Sequence, residues 1–209
     1  MNVARGIIGL LLVLAIAPAS SRAAGPFEQA RWTVSTRDPI AQTLFDRGLT
    51  MLYAFDIGDA RALFGQAVRR DPKLLLGYWG LAQAETMDIN RPTTPEGERR
   101  GARAVARGRA YIRYGNPEER ALFGAIAKRY SGGQPSLEMK RYAAAMTSFA
   151  KPYHDANALV LAAFAQWNGA DALVDSKSAL TAPARTMLTE LNGALARDPK
   201  NLGAHHLRI

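Results

Sequence analysis

Residues 41–84 constrain this chain more than any other stretch. Within them Gly48, Ala60, Phe64, Ala67 and Pro72 are spaced as the small, aromatic and proline positions of a helix–turn–helix unit of about 34 residues. One unit later Tyr78, Leu81 and Ala82 fall at the matching slots. Small residues at 48 and 60 let two helices of a hairpin approach closely, and Phe64 fills the wedge between hairpins. Pro72 cannot continue a helix, so it turns the chain into the next unit. The spacing returns at Leu191, Ala194 and Pro199, where the proline again follows an aspartate. No segment alternates with period two, so the chain is expected to be all-α.

Punctuation residues place the helices. Asp38-Pro39 starts the first, which is expected to run to about Tyr53, with Gly58 as the break and a second helix over Asp59–Arg70. A further first helix covers Leu74–Met87. Its partner is delayed by the two prolines of Asn90–Pro95 and runs from about Glu96 to Tyr114. Asn116-Pro117-Glu118-Glu119 supplies a cap, a proline at the first helical position and two acids on the positive end of the dipole. Ser131-Gly132-Gly133 ends that helix. Pro135 opens the next and Pro152 closes it. Asp155, Pro183 and Asn201 start the last three, with a looser stretch over 169–181.

The N-terminus is a separate matter. Arg5 precedes an unbroken apolar run from Ile7 to Ala17, and Ser21-Arg22-Ala23-Ala24 offers small residues for cleavage. A membrane span needs about 20 apolar residues, so residues 1–24 read as a secretory signal peptide and 25–37 as an extended lead-in. The alternative is an uncleaved anchor. The expected location is periplasmic or secreted, with no stable membrane span. Cleavage removes Arg5 and Arg22 and no acid, so the formal charge falls from +9 to +7. In an exported protein such a balance suits an acidic partner or an acidic envelope polymer better than nucleic acid. The absence of cysteine excludes disulfides, thiolate metal sites and cysteine nucleophiles.

The blocks FDRGLTMLYAFDIGDARALFGQAVRRDP, GYWGLAQAETMDIN, NPEERALFGAIAKRY, RYAAAMTSFAKPYHDANAL and ARDPKNLGAHHLRI resemble, in this order, a family of exported bacterial tetratricopeptide-repeat (TPR) proteins of undefined role. The resemblance covers Leu44 to the C-terminus. It implies a right-handed TPR-like α-solenoid of about four helical hairpins over residues 38–209, the last incomplete, because the helix after Asn201 lacks its partner. The family carries two histidines a turn apart in its last block, and the second would fall just past Ile209.

First helices of such hairpins line a concave groove. Taking Ala41, Leu75, Ala156 and Leu202 as first positions puts Phe45, Leu49, Tyr53, Trp79, Gln83, Met87, Val160, Phe164, Trp167 and His206 there. Aromatic anchors beside polar groups are what peptide recognition needs. Phe45, Leu49, Val160 and Phe164 fit a packed core better. Tyr53, Trp79, Gln83, Met87 and Trp167 are the expected partner-binding residues. Arg99, Arg103 and Arg107 recur every four residues on one helix face and could hold an anion bidentately, although a solvated face is the plainer reading. His206 is a candidate metal ligand if a second histidine follows one turn later, whereas His205 points elsewhere. No nucleophile elbow, phosphate loop or carboxylate pair is present. The expectation is a non-enzymatic protein- or peptide-binding scaffold without a cofactor. The alternative is a metal-binding protein centred on the C-terminal histidines.

Overall fold

Asp38 opens the helical part of the molecule. Its carboxylate accepts from the amides of Ile40 and Ala41, satisfying donors that the first turn leaves without partners. The computed structural model describes residues 29–87, 93–153 and 155–208. Among these lie helices α1 (Pro39–Tyr53), α2 (Ile57–Arg70), α3 (Leu75–Gln83), α4 (Pro95–Gly108), α5 (Pro117–Arg129), α6 (Pro135–Ala150), α7 (Ala156–Gly169), α8 (Ala182–Arg197) and α9 (Leu202–Arg208). A 3₁₀ segment, Arg109–Tyr114, continues α4. The described residues contain no strand, only an isolated bridge between Val174 and Leu180. The chain is all-α. The expected signal peptide, the Asn90–Pro92 part of the loop, His154 and Ile209 lie outside the described residues.

The turn between α1 and α2 differs from expectation. Gly58 lies inside α2, which Asp56 caps through the amide of Asp59. The break falls at Phe55, whose φ of 58° is left-handed. Its amide donates to Leu52 O and that of Asp56 to Met51 O, the double closure that glycine usually provides at a helix end. Here a phenylalanine holds the position, with its ring 5.2 Å from His206 and 6.5 Å from Phe164. Packing from α7 and α9 offsets the backbone strain.

Phe64 acts as the wedge between hairpins. A Cβ at Gly48 would lie 2.9 Å from its ring, and one at Gly80 2.4 Å. Glycines on α1 and α3 thus let both helices close on one aromatic face. Consecutive helices pack along the whole chain, but the contacts do not stop there. α3 meets α5, and α1 meets α9. Gly203 lets α9 approach, since a Cβ there would fall 2.8 Å from Val160 and 2.9 Å from Tyr53. Tyr53 donates to Asn157 Oδ1 of α7 at 3.1 Å. The inner faces of α1, α3, α7 and α9 therefore share one core.

Candidate functional site

That shared core decides where the expected groove residues go. Tyr53, Trp79 and Gln83 are fully buried and Met87 is 1% exposed. Trp79 packs among Trp32, Phe45 and Phe64, at 6.2, 6.4 and 6.4 Å between ring centroids. Gln83 accepts from the Tyr142 hydroxyl at 2.7 Å. These four side chains offer a partner no surface in this chain, which corrects the reading that placed them on an open groove. Phe45, Leu49, Val160 and Phe164 are core, as their apolar faces suggest. Trp167 alone of the five is only partly covered. Tyr53, Trp79 and Met87 belong instead to the hydrophobic core.

The extended lead-in follows the same face. The amides of Ala30, Trp32 and Val34 donate to Thr50 Oγ1, Asp46 Oδ1 and Gln42 Oε1, at 3.0, 3.1 and 3.0 Å. Gln42 Nε2 returns a bond to Trp32 O at 2.9 Å, and Asn157 Nδ2 donates to Arg31 O at 3.1 Å. Ser35 N donates to Glu119 of α5. Every second residue of the arm meets every fourth residue of α1, and the two run in opposite directions. The match is geometric: two extended residues advance about 6.6 Å and four helical ones about 6 Å. Trp32 and Val34 are buried while Arg31 and Thr33 are exposed, the alternation of an extended chain.

An open surface exists elsewhere. A groove of about 850 Å³ runs between α5 and α6, floored by Ala121, Gly124, Ala125, Ala144 and Ala145. The two helices form a hairpin, so Lys128 and Arg141 lie toward its short connection. Phe149 and Tyr153, 5.1 Å apart, lie toward the other end. Neither cation pairs with a carboxylate of the described residues. Sequence reasoning missed this site because α5 and α6 carry none of the repeat spacing used to set groove positions. The available signal was the run of small residues at 121, 124 and 125 facing 144, 145 and 148.

The arginine row is largely committed. Glu96 accepts from Arg99 and Arg103 at 2.6 and 3.1 Å, and the Arg107 guanidinium lies 5.7 Å from the Tyr78 ring. Arg100, next to the row, is bidentate on Glu85 at 2.8 and 2.7 Å, and Arg61 joins it at 3.1 Å. Buried Glu85 is thus shared by two guanidiniums at the edge of a cleft of about 180 Å³. His206 Nδ1 lies 2.7 Å from Tyr53 O. A carbonyl only accepts, so Nδ1 is the donor in this contact. No group of three His, Cys, Asp or Glu side chains able to hold a metal occurs among the described residues.

Glu190 of α8 is a buried carboxyl. Burial pushes Glu190 up to about 7, with Thr147 Oγ1 as a distant partner at 3.5 Å and Oε2 without one among the described residues. Its ordinary value is 4.5, so between these values the folded state holds the extra proton. Stability should therefore fall as pH rises from about 4.5 to about 7, by about 1–3 kcal/mol from this group. Urea titrations across that range should give Glu190→Gln a flatter profile and greater stability at pH 8. Identical slopes for both proteins would refute the assignment.

Comparison of the chain with protein-family models, curated proteins and solved structures finds no match in any of the three. The likeness to exported TPR proteins rests on the sequence blocks quoted above. Among the described residues no helix is long and apolar enough to cross a membrane.

Proposed function

We propose that this chain is an exported, non-enzymatic scaffold, built as a right-handed TPR-like solenoid of about four hairpins, that binds another protein. The observation that carries this reading is the α5–α6 groove. It joins an apolar floor of small residues, an aromatic end and two cations without acidic partners among the described residues. A helix needs close backbone approach to seat in a groove, and small side chains permit it. Half-buried Tyr153, backed by the buried Phe149 ring, supplies the anchoring area. The cations select for acid at one end of the bound segment. The partner segment is therefore an acidic amphipathic helix, and the mature charge of the chain favours its approach.

Two variants test this. A Cβ at Gly124 meets nothing within 4 Å, so Gly124→Leu fills the groove without disturbing the core. Lys128→Glu combined with Arg141→Glu reverses the charge. Both should fold as the parent does, and each should reduce capture of an envelope protein at least tenfold. An acidic polymer as the true ligand would respond to charge reversal and ignore Gly124→Leu. Capture untouched by either variant would remove the groove from the function.

A further inference from the structure

We infer that the face of α1, α5 and α7 that holds residues 30–35 is a receptor for an extended peptide, occupied in this structure by the chain's own N-terminal arm. All six of these bonds end on arm backbone: four amides donate and two carbonyls accept. Such bonds hold any sequence that can extend, so they supply affinity without selecting side chains. Selection falls to two positions, because among the described residues of the arm only Trp32 and Val34 are buried. Trp32 meets Trp79 edge-on at 6.2 Å, a favourable aromatic geometry. The ligand class is accordingly an extended segment with tryptophan and, two residues later, a β-branched residue.

Gln42, Asp46 and Thr50 form a polar line on α1, between its buried face at Ala41, Phe45 and Leu49 and its exposed face at Thr43 and Arg47. Gln42 Oε1, Asp46 Oδ1 and Thr50 Oγ1 accept from the arm, while Asp46 Oδ1 also accepts from Gln42 at 3.0 Å and the Thr50 hydroxyl donates to Asp46 O at 2.9 Å. Asn157 is buried, bridging Tyr53 and the arm. A tethered arm competes at the high effective concentration of an intramolecular ligand, so a free peptide must displace it. This site shares no residue with the α5–α6 groove, and the two can fail separately.

The test uses the full chain and a labelled peptide of residues 29–37, read by fluorescence anisotropy. The parent should bind it weakly. Trp32→Ala loosens the arm and should bind the peptide at least tenfold more tightly. Adding Gln42→Ala and Asp46→Ala should abolish the gain. A peptide with the tryptophan and valine made adjacent should bind at least tenfold more weakly. Hydrogen exchange at residues 30–35 reports whether the arm has been released, and Val34→Ala replaces Trp32→Ala if the latter does not fold. A released arm with no gain in peptide binding would overturn the inference. So would an arm that stays protected in both variants, since it would then be a fixed part of the fold.

Discussion

Trp79→Ala should lose about 3–5 kcal/mol of stability, the cost of truncating a large aromatic in a packed core. The ring is fully buried and touches three other aromatics contributed by the arm, α1 and α2. Removing it opens a cavity where the first hairpin, the second hairpin and the arm meet. Trp79 Nε1 has no acceptor among the described residues, so Trp79→Phe should cost far less: it discards an unpaired donor and keeps most of the apolar volume. Denaturant titrations of the two variants provide the contrast. A Trp79→Ala protein within about 1 kcal/mol of the parent would mean that the ring is peripheral, because core truncations of this size are never that mild.

Arg129→Ala should be comparably severe, for a different reason. The guanidinium is 2% exposed, is bidentate on Glu98 and lies 3.8 Å from Glu138. Deleting it leaves the carboxylates of Glu98 and of buried Glu138 without their cation, and breaking a buried pair from one side costs about 3–5 kcal/mol. The loss is electrostatic, so Arg129→Met should recover little despite filling much of the space. Adding Glu98→Gln and Glu138→Gln to Arg129→Met should recover most of it. If Arg129→Met alone is as stable as the parent, the ion pair contributes nothing and the site is held by packing.

What the sequence could reveal divides along the range of the interactions. Caps at Asp38, Asn116, Asp155 and Asn201 stand where the residues suggest, because a cap is decided within three positions of itself. The wedge role of Phe64 was legible for the same reason, since its spacing from Gly48 and Ala60 is fixed by one hairpin. The break at Phe55 was not, because the left-handed residue is tolerated through rings on α7 and α9 that lie far along the chain. Groove positions failed most completely. Tyr53, Gln83 and Trp79 have the composition of an exposed recognition surface, and nothing local distinguishes that from a polar-lined core. Whether Tyr53 faces water depends on Asn157, and whether Gln83 does depends on Tyr142. The arm was recognisable as extended, but its docking on Gln42, Asp46 and Thr50 requires knowing which face of α1 is left uncovered by α2.

The contact of α1 with α7 and α9 has a consequence for how the molecule comes into being. In an open array each repeat leans only on its neighbours, so early units can settle before later ones exist. Here the hydroxyl of Tyr53 waits for Asn157, 104 residues downstream. Synthesis at ~5–20 residues per second delays that partner by roughly 5–20 s. Throughout that interval the first hairpins carry an apolar face with nothing to cover it. The first hairpins thus cannot complete that face until the seventh helix emerges, so their packing is finished late rather than unit by unit.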